Sequence, residues 1–484
     1  MDDRTAILPL RDITLVKGAA EPLYAQLYTH LRATIVAGQH WAAGARLPSS
    51  RELAGELDVS RNTVVLAYQR LAEDGFVRGM AGGGTVVAGL PDMGDTKASS
   101  ATVCDQAAEQ APYGLPNSAF PVGVPPVDLF PTALWAGLTS RRLRASGVRV
   151  LLGSGRLGYR PLREAIAGYL WVARGIRCSP EQVIVTRGLD AGLDLLGRAL
   201  LRPGDRVWCE EPGYHRARDT MTRLGMRCTA VPVDDDGMDV DAARDSWPDA
   251  RLALLSPACQ MPLSVVLSQP RRTRLLEHAR RAGMWVVEHE SDTAFLGRDA
   301  GSAPLFTQDR HGRVIHVGGF DSVLFPQLHV GYCVVPDELV DPVGRELAES
   351  GAQASGLTQA VLADFLNHHR FARFLMRVTS VCAGRRVALR DAVLRMPDAP
   401  LTLLGGERGS CLTASFRRYV RVDGLIADAA RQSLHLVPLH RYFHGTGPDT
   451  GGLVLGAAAA REEAIGPAMR LLSGLLRRHT RSTM

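Results

Sequence analysis

After Lys97 the chain contains no lysine, and Lys17 and Lys97 are the only two in 484 residues. Chemistry that begins with an aldehyde condensing on a side-chain amine is therefore closed to everything downstream. What remains there with chemical capacity is a scatter of arginines, histidines and polar groups: Arg187, Asp190, His215, Arg218, His289, Ser322 and His329. A different capacity is concentrated upstream, in Arg51 and then Ser60, Arg61, Asn62 and Thr63 in succession. Arginine can pair with guanine through two parallel hydrogen bonds and asparagine with adenine, while hydroxyls suit phosphate oxygens. Such a run reads a duplex only when an exposed helix end presents it.

The flanking pattern supplies that end. Leu23 to Ala37 carries apolar residues at helical spacing and stops at Gly38. Residues 43–48 read as a turn. Ser49 then stands where a helix N-cap belongs, with Glu52 three positions on, the spacing of a capping box. Asp58-Val59-Ser60 breaks the run, and Ser60 caps a third helix whose Val64, Val65, Ala67 and Leu71 supply apolar bulk. Two short β runs, 75–79 and 84–88, are joined across Met80-Ala81-Gly82-Gly83. The expectation is a helix, a helix–turn–helix and a β-hairpin wing, an α+β unit whose last helix enters the major groove. Arg51 would reach the flanking backbone, and glycines 82–84 allow a tight wing tip. The bland alternative is a small helical domain with ordinary polar caps.

The segments PLYAQLYTHLR, LPSSRELAGELDVSRNTVVLAYQRLAEDGFV and GGGTVVA resemble the winged-helix domain of the GntR regulators, over residues 21–88. The resemblance implies double-stranded DNA as a partner, contacted by Arg51, Arg61, Asn62, Thr63 and the wing around Gly82. With Ser60 and Gly83 these are the candidate DNA-binding residues. Subfamily members often carry Arg-Pro-Gly at the wing, where this chain has Met80-Ala81-Gly82.

Residues 90–117 are rich in Ala, Ser, Asp and Pro, with little apolar periodicity, and read as a flexible tether. The expected domains are 1–90, a linker at 91–118, and 119–484. In the last of these, strands at 183–186, 206–209, 228–233, 252–255, 285–288, 314–317 and 330–335 are interspersed with helices at 190–201, 217–224 and 271–282. That alternation implies an α/β domain with a parallel or mixed sheet covered on both faces, and a smaller lobe from about Leu389.

Six motifs occur in order: Leu129-Phe-Pro with Trp135, Gly158-Tyr-Arg-Pro-Leu-Arg-Glu-Ala-Ile, Pro203-Gly-Asp-Arg-Val-Trp, Glu211-Pro-Gly-Tyr, Ser256-Pro-Ala-Cys-Gln-Met-Pro, and Leu324-Phe-Pro with Val330-Gly-Tyr. Together they resemble the fold-type I aminotransferases over residues 119–475. With the winged helix ahead of them, they resemble the MocR branch of the GntR regulators. That resemblance implies a domain that dimerises and usually senses pyridoxal phosphate or an amino compound.

The cofactor residues depart from the family pattern. Ser-Lys, Thr-Leu-x-Pro and Arg-Leu-Gly-Tyr become Asp321-Ser322-Val-Leu-Phe-Pro and His329-Val-Gly-Tyr, so Ser322 takes the lysine position and His329 that of a phosphate-facing arginine. Asp-Asp-Tyr becomes His289-Glu290-Ser291. His289 lacks the fixed charge that keeps a pyridinium protonated, and Ser291 lacks the phenol that would reach the ring oxygen. In the turn from Thr186, Leu189 and Asp190 replace small donors, and Asp190 would repel a phosphate dianion. The arginine for a substrate carboxylate corresponds to about Val454. The expectation is no pyridoxal phosphate, no catalytic residue, and a fold kept for homodimerisation and for some other small-molecule effector. Arg187, His215, Arg218, His289 and His329 remain to line a pocket for a different anion. An alternative is a scaffold whose fold receives a partner protein; a working aminotransferase fails on the missing lysine.

Composition adds boundaries. The 46% hydrophobic and 22% charged content is ordinary for a globular chain. No run approaches the ~18 apolar residues of a membrane span, and the start, MDDRTAILPLRD, has no signal-peptide pattern. Eight cysteines lie far apart, without CxxC or Cys/His metal spacing, and read as reduced thiols in a cytoplasmic protein with no metal. The net charge of +6 hints at an anionic partner, yet residues 1–90 hold nine Lys+Arg against nine Asp+Glu. Placement, not total charge, marks the segment as DNA-binding.

Overall fold

The computed structural model describes residues 15–16, 21–37, 41, 44–80, 84–88, 119–146, 152–290, 303–398, 400–445 and 451–480. They fall into two compact units, one within Met1–Glu109 and the other within Gln110–Met484. The expected linker at 91–118 lies outside the described residues, as do Gly82, Gly83 and Ser291.

The first unit has α1 (Leu23–Ala37), α2 (Ser50–Glu56), α3 (Arg61–Glu73), β1 (Val77–Gly79) and β2 (Thr85–Val87). Local chemistry sets the helix starts. Ser49 Oγ accepts from Glu52 N at 3.3 Å and Ser49 N donates to Glu52 Oε2 at 2.9 Å, a closed capping box. Ser60 Oγ accepts from Thr63 N at 3.1 Å. Apolar faces of the three helices meet in one core of Leu27, Leu31, Leu53, Val64, Ala67 and Leu71, joined by Val77 and Val87 from the strands. The stretch read as a turn does more than turn. Leu47 N donates to Thr85 O at 2.8 Å and Val87 N to Ala45 O at 2.9 Å, with Arg46 bridged to Val86. The wing is thus backed by a third, short extended segment, because β2 would otherwise leave an edge unpaired beside the core.

In the second unit an eight-stranded sheet runs in the order β3-β10-β9-β8-β7-β4-β5-β6. The strands are β3 (Val183–Thr186), β4 (Arg206–Glu211), β5 (Arg227–Asp234), β6 (Gly237–Met238), β7 (Leu252–Leu255), β8 (Trp285–Glu290), β9 (Val314–Gly319) and β10 (Gly331–Val334). β10 pairs antiparallel with both β3 and β9, β5 pairs antiparallel with β6, and the remaining neighbours pair parallel. Alternation explains the two covered faces. Val207 and Cys209 enter one core while Trp208 enters another, and Leu252 and Leu254 part in the same way from Ala253 and Leu255.

A four-stranded antiparallel sheet, β11-β12-β14-β13, forms the smaller lobe from Leu401–Leu404, Cys411–Phe416, Gly452–Gly456 and Val437–Pro438. Its core takes Leu389 and Val393 from the long helix Phe371–Leu394, and also Phe120 from the start of the unit. Position 389 therefore falls inside a helix, and the lobe is not contiguous in sequence.

One charged cluster is deeply buried under the large sheet. Arg174 grips Glu290 with Nε at 3.0 Å and Nη2 at 2.6 Å. Glu288 accepts from Leu305 N, Phe306 N and His316 Nδ1 at 2.7, 3.1 and 3.0 Å. Glu288, Glu290 and His316 place ligand atoms within 4.8 Å of one another. The carboxylates are already engaged, however, and the Arg174 guanidinium is the cation of this cluster. Among the described residues no helix is long and apolar enough to cross a membrane.

Candidate functional site

Two surfaces matter, one in each unit. In the first, Arg61 Nε donates to Ser50 Oγ at 3.3 Å, which draws the N-termini of α2 and α3 together. Arg51, Ser60, Arg61 and Asn62 are exposed there and Thr63 is half-buried. Two adjacent helix starts, each with an exposed arginine in its first turn, have the polarity that attracts phosphate. The candidates do not contribute equally. Ser60 Oγ and Thr63 Oγ1 lie 2.8 Å apart and serve the helix cap, whereas Arg61 and Asn62 are exposed side chains whose chemistry matches base edges. Sequence reasoning missed Arg46, whose guanidinium lies so close to Gly84, at the tip end of the wing, that a Cβ there would stand 2.7 Å from its Nη2. The only sequence signal was an arginine beside a supposed turn.

In the second unit a cleft of about 1180 Å³ opens over the turn between β3 and the helix Leu189–Leu200. Glycine is required where that turn meets β10: a Cβ on Gly331 would come within 2.6 Å of the Gly188 carbonyl carbon. Thr186 Oγ1, which could have faced a ligand, instead donates to Gly188 O at 2.9 Å. Asp190 is also engaged: Oδ1 accepts from Tyr214 OH at 2.9 Å, and Oδ2 lies 2.5 Å from Arg216 Nη2. The sequence marks Tyr214 only as part of a motif, and Arg216 not at all.

Ser322 lies on the cleft wall. Its neighbour Asp321 accepts from Val330 N at 3.2 Å and sits against Gly188, where a Cβ would be 3.0 Å from Oδ2. Burial pushes the Asp321 carboxyl up to about 7; N–H donors from Val330 and His329 oppose the shift, and the nearby Asp190 charge adds to it. His329 is exposed, with φ of 50° and Nε2 3.2 Å from Gln327 Oε1.

Of the five residues expected to line one pocket, Arg187, His215 and His329 line this cleft. Arg218 and His289 line a small adjoining hollow instead, and Tyr214 borders both. His289 is buried, with Nε2 3.0 Å from Ser256 Oγ and its ring 5.3 Å from that of Tyr214. Val454 is fully buried in an apolar group with Met261, Val437 and Tyr442.

Burial lowers the His289 pKa from 6.5 to about 4, so the folded chain holds a neutral ring. The unfolded chain takes up that proton first, so stability falls as pH drops from about 6.5 toward 4, by up to ~3 kcal/mol from this residue. His289→Gln should therefore gain stability relative to wild type across that window. Denaturant midpoints taken from pH 7 to pH 4 measure it, and a pH-independent difference would refute the assignment.

The model of the bacterial regulatory proteins, gntR family, matches residues 23–87. Over 91% of this chain and 91% of its relative, 35% of residues are identical to the probable rhizopine catabolism regulatory protein MocR of Rhizobium meliloti. The chain belongs to the MocR branch of the GntR family. A further relative, the HTH-type pyridoxine biosynthesis transcriptional regulator PdxR of Corynebacterium glutamicum, is 29% identical over 94% of this chain and 97% of its own. Among solved structures, LysN, the alpha-aminoadipate aminotransferase of Thermus thermophilus, superposes with a TM-score of 0.67 at 28% identity, covering 74% of this chain and 92% of its own. This MocR-type protein is thus a DNA-binding transcriptional regulator, a GntR winged helix joined to a fold-type I aminotransferase-like domain.

Proposed function

We propose that this regulator binds an operator of two half-sites as a homodimer through residues 119–484, with its aminotransferase-like domain silent toward pyridoxal phosphate and without catalytic activity. The observation that supports the reading is at the cleft wall: Ser322, which the sequence resemblance sets at the lysine position, lines it, and Asp190, held by Tyr214 and Arg216, fills the helix N-terminus. A pyridoxal phosphate does not fit these residues. They offer it no amine, they set a carboxylate against its phosphate, and His289, at the sequence position of the family's aspartate, is a neutral ring lining the adjoining hollow. LysN was solved in complex with N-(5'-phosphopyridoxyl)-L-leucine; in this chain the cleft serves a non-pyridoxal effector. Arg51, Ser60, Arg61, Asn62, Thr63 and the wing at Gly82 and Gly83 form the DNA surface, residues 91–118 tether the two domains, and the protein works in the cytoplasm.

Dimerisation follows from what one winged helix can read. A single unit spans a short half-site, and two on one particle supply affinity and spacing together. Light scattering at micromolar concentration should give twice the chain mass, and footprinting should give two protected half-sites. A particle of single-chain mass would remove this part of the account.

A further inference from the structure

A helix N-terminus attracts an anion through its free N–H groups and dipole. In this cleft the anion is built into the chain. Asp190 is the second residue of the helix Leu189–Leu200, and its two oxygens divide between the Tyr214 phenol, at 2.9 Å, and the Arg216 guanidinium, at 2.5 Å. Asp321 closes the other side of the same turn, against Gly188. We propose that Asp190 is the resident anion of the cleft: it takes the place of an effector's phosphate, occupies the cation and the phenol that would bind one, and restricts the effector to molecules without a phosphate or comparable dianion. The proposal rests on the reading that the chain does not use pyridoxal phosphate.

Three facts support Asp190 as a specificity residue. The cleft of about 1180 Å³ has room for a small metabolite, so anions are turned away by charge and not by bulk. The acceptor of the Tyr214 phenol is a charged oxygen, which makes that hydrogen bond a strong one. A dianion entering the turn would face the Asp190 carboxylate at the helix N-terminus, whereas Asp194, paired with Arg198 at 2.7 Å, lies one turn further along the helix.

The test uses the full-length chain carrying Lys17→Arg and Lys97→Arg, which removes both side-chain amines. Inorganic sulfate, inorganic phosphate and pyridoxal phosphate are titrated by calorimetry. The Asp190→Asn variant keeps the shape and removes the charge; Asp190→Ser also shortens the side chain and provides a second route should either variant fold poorly. Both should bind sulfate and phosphate about tenfold to a hundredfold more tightly than the parent, the worth of one charge-assisted contact. Adding Arg216→Ala should abolish the gain, and Asp194→Asn should show none. Equal sulfate affinity in parent and Asp190 variants, or an equal gain in Asp194→Asn, would overturn the proposal. Saturable pyridoxal phosphate binding by the parent would instead remove the cofactor reading beneath it, a distinct result.

Discussion

In a gel-shift titration, Arg61→Ala should weaken operator binding by ~1–3 kcal/mol, and the Arg51→Ala/Arg61→Ala pair should lose specific retention altogether. The reason lies at the joined N-termini of α2 and α3. Arg61 is exposed at the first position of α3 and steadied by Ser50, so it would meet a groove with less freedom left to lose. Asn62 beside it is expected to be the other base-reading group, because Ser60 and Thr63 satisfy each other within the cap. The two arginines should also separate by their salt dependence. Loss of a base contact relaxes sequence preference; loss of a phosphate contact weakens all sequences alike and lowers the salt slope by about one. Arg51, in the first turn of α2, is expected to behave in the second way. Wild-type affinity in the double variant would mean that the winged helix does not read DNA through this edge.

The largest stability effect is expected at the buried cluster of the second unit. Arg174→Met should destabilise the protein by about 3–5 kcal/mol, because it strands the Glu290 carboxylate in a site where that side chain is 2% exposed. Arg174→Lys keeps the charge but cannot reproduce the two-pronged contact, and should fall between. Arg174→Met/Glu290→Leu should recover much of the loss, since the cost lies in the unpaired charge and not in the absent ion pair. Denaturant unfolding of the full chain reads the series. A loss under about 1 kcal/mol in Arg174→Met would show that water or a neighbouring group compensates Glu290.

Much of the fold could be read locally. The bounds of α1 follow from apolar spacing, the starts of α2 and α3 from Ser49 with Glu52 and from Ser60, and the strands of the large sheet from short β-branched runs. The features that escaped depend on partners distant in sequence. Residues 45–47 join β2 some forty positions away, and nothing in their own composition distinguishes a strand from a turn. Phe120 belongs to a lobe whose sheet starts near position 401. The same holds for the cleft. Asp190 was recognised as hostile to phosphate, yet its grip on Tyr214 and Arg216 needs the β3–helix turn and the β4–helix turn side by side. Asp321 went unremarked because its burial against Gly188 is a product of that assembly. His289 and Arg218, counted with the cleft from sequence, line a separate hollow because they fall on the far side of Tyr214.

The most direct test of a regulator with a silent cofactor cleft is a pyridoxal phosphate titration of the wild type beside the Lys17→Arg/Lys97→Arg variant, followed by absorbance and calorimetry. Labile adducts at Lys17, Lys97 and the N-terminus are to be expected, and the variant removes the first two. Beyond those adducts the account predicts a colourless protein, no aldimine band from the cleft, no saturable heat and no shift in melting temperature. Ser322→Lys alone should not restore binding, because Asp190 and the neutral His289 remain. Saturable micromolar binding by the wild type, abolished by substituting His289 or His329, would contradict it.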